Sequence, residues 1–290
     1  MFPKYARRRP EISSARHITR NTLDLLALQK PQGHKYDHGH ALVLTGGPGQ
    51  TGAARLAARA ALRIGAGAVS LGVPPAAQME VAVQITAIML RRVADEDALC
   101  EILQDRRINA MCLGPALGTS EDKAALIARA LKSGRACVLD ADALTHLGSN
   151  PWLFDLLHDT CVLTPHAGEF LRIFPDISIS TPETGVKHAS DRAGCTVLLK
   201  GAQTTIGCPD GSVSVHQATG TRAVPWLATA GAGDVLAGII TGLLARGMDP
   251  LKAAETATFL HVECARQIGP GLIAEDLSEV LPAVLRDLLS

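Results

Sequence analysis

The sequence predicts an α/β fold in which a mostly parallel sheet carries helices on both faces. Three observations predict it. From about Ala41 onward, short apolar runs alternate with Ala-rich helical stretches, the order that gives repeated right-handed strand–helix–strand crossovers. Hydrophobic residues make up 47% of the 290 residues and aromatics only 3%, so Ala, Val, Leu and Ile must build the core, as in strands buried on both faces. The Gly-rich and polar segments fall at the carboxyl ends of the apolar runs, where open parallel sheets gather their ligands.

Apolar runs at 41–44, 68–72, 88–90, 110–113, 136–139, 161–163 and 196–199 are the candidate strands, with candidate helices at 53–64, 95–105, 120–133 and 182–193 between them. Gly65 and Gly134 stand where a helix C-terminal glycine belongs, and Thr119 or Ser120 offers an N-cap. Segments 204–206 and 213–215 flank Asp210-Gly211, a turn signal, and read as a hairpin. The chain finishes in helices at 232–245, 251–267 and 278–288. No linker or repeat interrupts the chain after residue 30. One domain over residues 31–290 is expected, with residues 1–30 an arm or leading helix.

Lys+Arg and Asp+Glu both number 28, so bulk charge draws the chain to neither nucleic acid nor a membrane surface. The longest apolar stretch, 235–245, is far short of the ~18 residues of a membrane span. Residues 1–20 contain Arg7, Arg8 and Arg9 but no apolar core of a secretory signal. The seven cysteines are scattered, odd in number and lack a CxxC pair, which reads as reduced core thiols. A soluble, cytoplasmic protein is expected.

Gly47-Pro48-Gly49-Gln50-Thr51-Gly52 follows the first strand and opens a helix, formally the dinucleotide fingerprint. That fingerprint also wants an acid about 20 residues on, and Leu71-Gly72-Val73-Pro74 supplies none. Ala53-Ala54 rule out a Walker loop. What remains is a tight turn whose small residues let a ligand approach the backbone. Leu113-Gly114-Pro115-Ala116-Leu117-Gly118 ends another strand in the same way.

The strongest local signal is Thr229-Ala230-Gly231-Ala232-Gly233-Asp234, which runs straight into an apolar helix. Small residues leave the first N–H groups of that helix bare, and the helix dipole adds partial positive charge there. Gly231, Ala232 and Gly233 thus form a candidate anion hole. Asp234 is placed to orient or deprotonate a hydroxyl; the bland alternative is that it only caps the helix. Lys200 ends an apolar strand, where it can meet a phosphate as a point charge. His166, in Thr164-Pro165-His166, is less readily explained by packing. Asp140 and Asp142 follow another strand, as ligand groups or as caps and loop anchors.

Taken together, His34-Lys35, Gly52-Ala53-Ala54, 113–118, 139–144, 164–169, 199–204, 229–238 and 271–277 resemble the ribokinase-like dehydratases that repair hydrated NADH and NADPH, over residues 34–285. The resemblance implies a three-layer α/β/α sandwich. It implies that ADP or ATP, with Mg2+ and no dedicated protein metal cage, phosphorylates the hydrate's hydroxyl, and that loss of phosphate restores NAD(P)H and leaves AMP. It implies that Lys200, Gly201, Ala202, Gln203, Thr204 and Gly233 meet the AMP portion. Ala53, Gly118, His166 and Asp234 would face the hydrated dinucleotide, with Asp234 the catalytic base. A homotetramer is implied too, and the epimerase domain fused upstream in some members is not expected here.

The sequence departs from the family pattern at Tyr36, at Ala116, at Thr86-Ala87-Ile88-Met89, where a carboxylate is lost, and over 219–225. Two other readings use the same Asp234 turn: a kinase of this fold acting on a hydroxymethylpyrimidine or hydroxyethylthiazole, and a non-enzymatic nucleotide sensor.

Overall fold

The computed structural model describes residues 15–290. The strands are β1 (Arg16–His17), β2 (His40–Leu44), β3 (Ala68–Val73), β4 (Met89–Arg92), β5 (Ile108–Leu113), β6 (Ala136–Leu139), β7 (Cys161–Leu163), β8 (Thr196–Leu199), β9 (Gln203–Gly207) and β10 (Val213–Gln217). The helices are α1 (Leu25–Leu28), α2 (Gly52–Arg63), α3 (Gln78–Ala82), α4 (Glu96–Ile102), α5 (Glu121–Lys132), α6 (Asp142–Ser149), α7 (Ala167–Ile173), α8 (Pro182–Ala193), α9 (Ala232–Ala245), α10 (Pro250–Ile268) and α11 (Ala274–Leu289).

The strands form one sheet in the order β1-β10-β9-β8-β7-β6-β5-β2-β3-β4. Strands β8, β7, β6, β5, β2, β3 and β4 pair in parallel, and β9 alone reverses, between β8 and β10. The sheet is mostly parallel, as predicted. The reversal at β9 follows from a three-residue connection, 200–202, too short for a crossover helix.

Alternate residues on each strand enter different cores. Val43, Cys112, Val138, Val162 and Leu198 pack with α2, α9, α10 and α11. Leu44, Leu113, Leu139, Leu163 and Leu199 pack with α4 to α8. Period-2 alternation with both faces apolar is what a two-sided sheet requires, and it makes the molecule a three-layer α/β/α sandwich.

Helices α2 and α9 pack unusually close. A Cβ on Gly238 would overlap the Ala57 carbonyl, and one on Gly242 would press on Ile64 and Ala61. Small residues on both helices therefore set the separation.

Predicted and observed helices agree at 182–193 and 232–245. The last helix starts earlier than predicted, at Ala274, with Pro282 inside it. Helices α3, α6 and α7 and strand β1 were not predicted. Residues 1–14 of the expected arm lie outside the described residues. Of the remainder, Arg16 and His17 pair with β10, and α1 follows.

Candidate active site

Four connections at the carboxyl edge of the sheet build the site. The first is the turn into α9. Gly231 adopts φ +89°, which favours glycine, and a Cβ there would also lie 2.7 Å from Leu56 and 2.8 Å from Ala274. Glycine is demanded twice, so the helix starts without a side-chain cap. The amides of Gly233 and Asp234 have no acceptor among the described residues, leaving them for a ligand.

Three adjacent strands, β6, β7 and β8, supply the second feature. Asp140, just past β6, is buried at 2% exposure. Its Oδ1 accepts from Thr164 Oγ1 at 2.8 Å and from Lys200 Nζ at 2.7 Å. Lys200 Nζ also lies 3.9 Å from Glu169 Oε2 and 3.5 Å from where a Gly233 Cβ would stand. The ammonium therefore sits at the mouth of α9, held by a buried carboxylate. The Lys200 amide donates to the Pro165 carbonyl at 2.8 Å, extending the pairing of β7 with β8 by one residue.

Asp234 is the third residue of α9. Its carboxylate makes no hydrogen bond among the described residues, so the capping alternative does not describe it. Burial and the neighbouring Asp140 push its carboxyl up to about 6, against the pull of Lys200. Near neutrality it is mostly ionised yet basic enough to take a proton, a useful poise for a general base.

The remaining positions divide. Gly118 (φ +96°) has open space where a Cβ would stand; its amide donates to Asp142 Oδ2 at 2.8 Å and its carbonyl meets His146 Nε2 at 3.1 Å. Asp142 is thus a loop anchor. His166 first caps α7: its Nδ1 accepts from the Gly168 and Glu169 amides at 3.0 and 3.2 Å. That puts the proton on Nε2, 3.6 Å from Glu169 Oε1, in a ring that is otherwise exposed. Ala53 is half-buried in the first turn of α2. Gly201 and Ala202 are exposed in the β8–β9 turn, whereas Thr204 is buried, its hydroxyl bonded to the Gly201 carbonyl at 3.2 Å. Gln203 Nε2 donates to Glu183 Oε1 at 2.9 Å.

Sequence reasoning missed Glu80, on α3. It accepts from the Thr51 hydroxyl and, at 2.7 Å, from the Gly49 amide, and both bonds hold its carboxyl below the usual range. It fastens the loop 47–52. One departure is also visible in the backbone: Ala116 holds φ +49°, and Ala141, between Asp140 and Asp142, likewise holds φ +45°, conformations that L-residues rarely adopt.

A separate cavity of about 780 Å³ lies between β10, α10 and α11, lined by residues that include His17, His216, Arg222, Phe259 and Arg266. None of the predicted site residues borders it. Among the described residues, no helix is long and apolar enough to cross a membrane.

A family model described as NAD(P)H-hydrate dehydratase matches residues 41–282. The ADP-dependent (S)-NAD(P)H-hydrate dehydratase of Xanthomonas campestris is 31% identical over 287 residues, covering 93% of this chain and 96% of its own. The bifunctional NAD(P)H-hydrate repair enzyme of Moorella thermoacetica is 37% identical over 280 residues, covering 91% of this chain; the chain spans only 52% of that enzyme's length. Among solved structures, the ADP/ATP-dependent NAD(P)H-hydrate dehydratase of Bacillus subtilis co-crystallised with ATP/Mg2+ is 26% identical, with a TM-score of 0.77 over 95% of this chain and 99% of its own. A ribokinase-like superfamily protein of Enterococcus faecalis gives a TM-score of 0.82 at 20% identity, over 94% of this chain and 96% of its own, a likeness of fold. A ribokinase-like sandwich whose glycine mouth, strand-end lysine and buried aspartate fall inside the matched segment belongs to the NAD(P)H-hydrate dehydratase family.

Proposed function

We propose that this protein dehydrates hydrated NADH and NADPH in a nucleotide-dependent reaction, with ADP or ATP as phosphoryl donor. The observation that carries the reading is the α9 mouth: the Gly233 and Asp234 amides without acceptors, a lysine held beside them, and the half-buried carboxylate of Asp234 itself. Donors and cation aimed at one point fit a phosphoryl group in transit.

In this reading the hydrate's hydroxyl oxygen attacks the terminal phosphoryl group of the nucleotide and gives its proton to Asp234. With ADP as donor, AMP leaves. Loss of phosphate and of a ring proton then restores the reduced nicotinamide. Gly231, Ala232 and Gly233 hold the transferring group. Lys200, Gly201, Ala202, Gln203, Thr204 and Gly233 receive the AMP portion, though the burial of Thr204 limits its part to shaping the turn. Ala53, Gly118 and the exposed ring of His166 line the side that takes the hydrate. Residues 31–290 form the catalytic unit.

Among the described residues no three His, Cys, Asp or Glu side chains converge to hold a metal ion. Magnesium carried by nucleotide phosphates needs only one or two protein carboxylates. Asp142, with Oδ2 on the Gly118 amide and Oδ1 uncommitted, would be one of them. The ion would supply charge neutralisation between phosphates. Seven unpaired cysteines fit a reducing, cytoplasmic setting, and the family resemblance supports a homotetramer.

The test is direct. Purified protein with ADP should convert hydrated NADH into NADH, read as recovered near-ultraviolet absorbance with one AMP released per turnover. Stable phosphorylation of a pyrimidine or thiazole alcohol by ATP, with no recovery of NADH, would assign the site to a kinase instead.

A further inference from the structure

His261, on α10, makes a contact that the reaction scheme has not used. The ring is buried, and its Nε2 lies 2.8 Å from the Ala232 carbonyl oxygen. A carbonyl offers no proton, so Nε2 carries the hydrogen and donates it. Burial, with Lys200 adding to it, drives the imidazole down to about 4, which keeps the ring neutral through the physiological range.

The acceptor matters because of covalent geometry. The Ala232 carbonyl and the Gly233 N–H belong to one planar peptide unit. Fixing the oxygen fixes the plane, and so the direction of the N–H on its other side. A donor on the oxygen also polarises the unit and strengthens that N–H as a donor. Gly233 N–H is one of the two amides without an acceptor at the mouth, beside Lys200. Glycine at 233 puts no side chain between that amide and a ligand, but it leaves the backbone freer to rotate. The histidine removes part of that freedom.

We propose that His261 is a positioning residue for phosphoryl transfer: it aims and polarises the Gly233 amide without touching substrate. The proposal rests on the reaction assigned above. A merely structural histidine would satisfy the same carbonyl and affect folding alone, so the test must separate the two.

Three variants do so when assayed beside wild type. His261→Leu keeps the volume and removes the donor. His261→Asn keeps an amide that stops short of Ala232. His261→Gln places an amide N–H close to the position of Nε2. With ADP and hydrated NADH, His261→Leu and His261→Asn should lose roughly 10- to 100-fold in kcat and change KM for ADP by less than threefold, while His261→Gln recovers most of the rate. Binding of AMP with aluminium fluoride, a mimic of the transferring phosphoryl group, should weaken by the same factor, and binding of AMP alone should not. If the leucine variant fails to fold, the asparagine–glutamine pair still decides. Wild-type kcat in the asparagine variant, or equal losses in asparagine and glutamine variants that track a lowered melting temperature, would overturn the proposal. A wild-type enzyme without turnover would instead overturn the reaction assignment.

Discussion

Lys200 Nζ donates to Asp140 Oδ1 at 2.7 Å while standing beside Gly233 at the start of α9. Sixty residues of chain separate the pair, and the consecutive strands β6, β7 and β8 bring it together. A cation at that point serves a phosphate, and the carboxylate beneath keeps it from swinging away. The cost is a buried negative charge that depends on its partner.

Lys200→Met should therefore act on stability and catalysis together. Asp140 would keep Thr164 but lose its cation, an uncompensated buried charge costing about 2–4 kcal/mol. Lys200 also lowers the Asp234 carboxyl, so its removal should move the acid limb of the rate profile to higher pH. Thermal melts and a pH–rate profile check the two effects separately.

Asp234 sets the pH dependence itself. A base at about 6 makes kcat/KM rise with pH through about 6 and level off above it. Its folded value lies above the ordinary 3.8, so the folded state binds the proton more tightly. Stability falls as pH rises from about 4 to about 6 and stays lower beyond.

It follows that Asp234→Asn should abolish turnover, leave nucleotide binding near normal, and raise stability at neutral pH by roughly 2 kcal/mol, the cost of an ionised carboxylate in a mostly dry site. Calorimetry at pH 5 and pH 7 gives the difference; a variant less stable than wild type at pH 7 would contradict it.

Glu80→Gln should loosen the loop 47–52 by weakening both bonds to it. The expected outcome is a several-fold rise in KM for the hydrate with KM for ADP unchanged, measured by initial rates against each substrate.

Ala141→Gly should stabilise the fold by up to about 1 kcal/mol, because φ +45° strains alanine and not glycine. Chemical denaturation reads the change.

The fold and the α9 mouth were legible because their signals are local. Runs of apolar residues mark buried strands, and Gly231-Ala232-Gly233-Asp234 before an apolar helix marks an amide-lined turn. What stayed hidden depends on which strands become neighbours. Asp140 and Lys200 were each noticed at a strand end, but their pairing required β6, β7 and β8 to be consecutive in the sheet. Glu80 meets Gly49 across 31 positions in a stretch without periodicity. The capping role of His166 was hidden because nothing in Thr164-Pro165-His166 reveals that a seven-residue helix follows for it to cap. Helices α6 and α7 were overlooked for the same reason: they begin inside the polar segments that drew attention as site motifs.

The close seating of Gly238 and Gly242 against Ala57, Ala61 and Ile64 constrains how the enzyme moves. Both α2 and α9 begin at the catalytic edge, one from the loop fastened by Glu80 and the other from Gly231. Backbones in direct contact slide poorly, so the two glycine loops behave as jaws of fixed gauge. A ligand that spans both loops then meets a gap whose width is set by that helix contact.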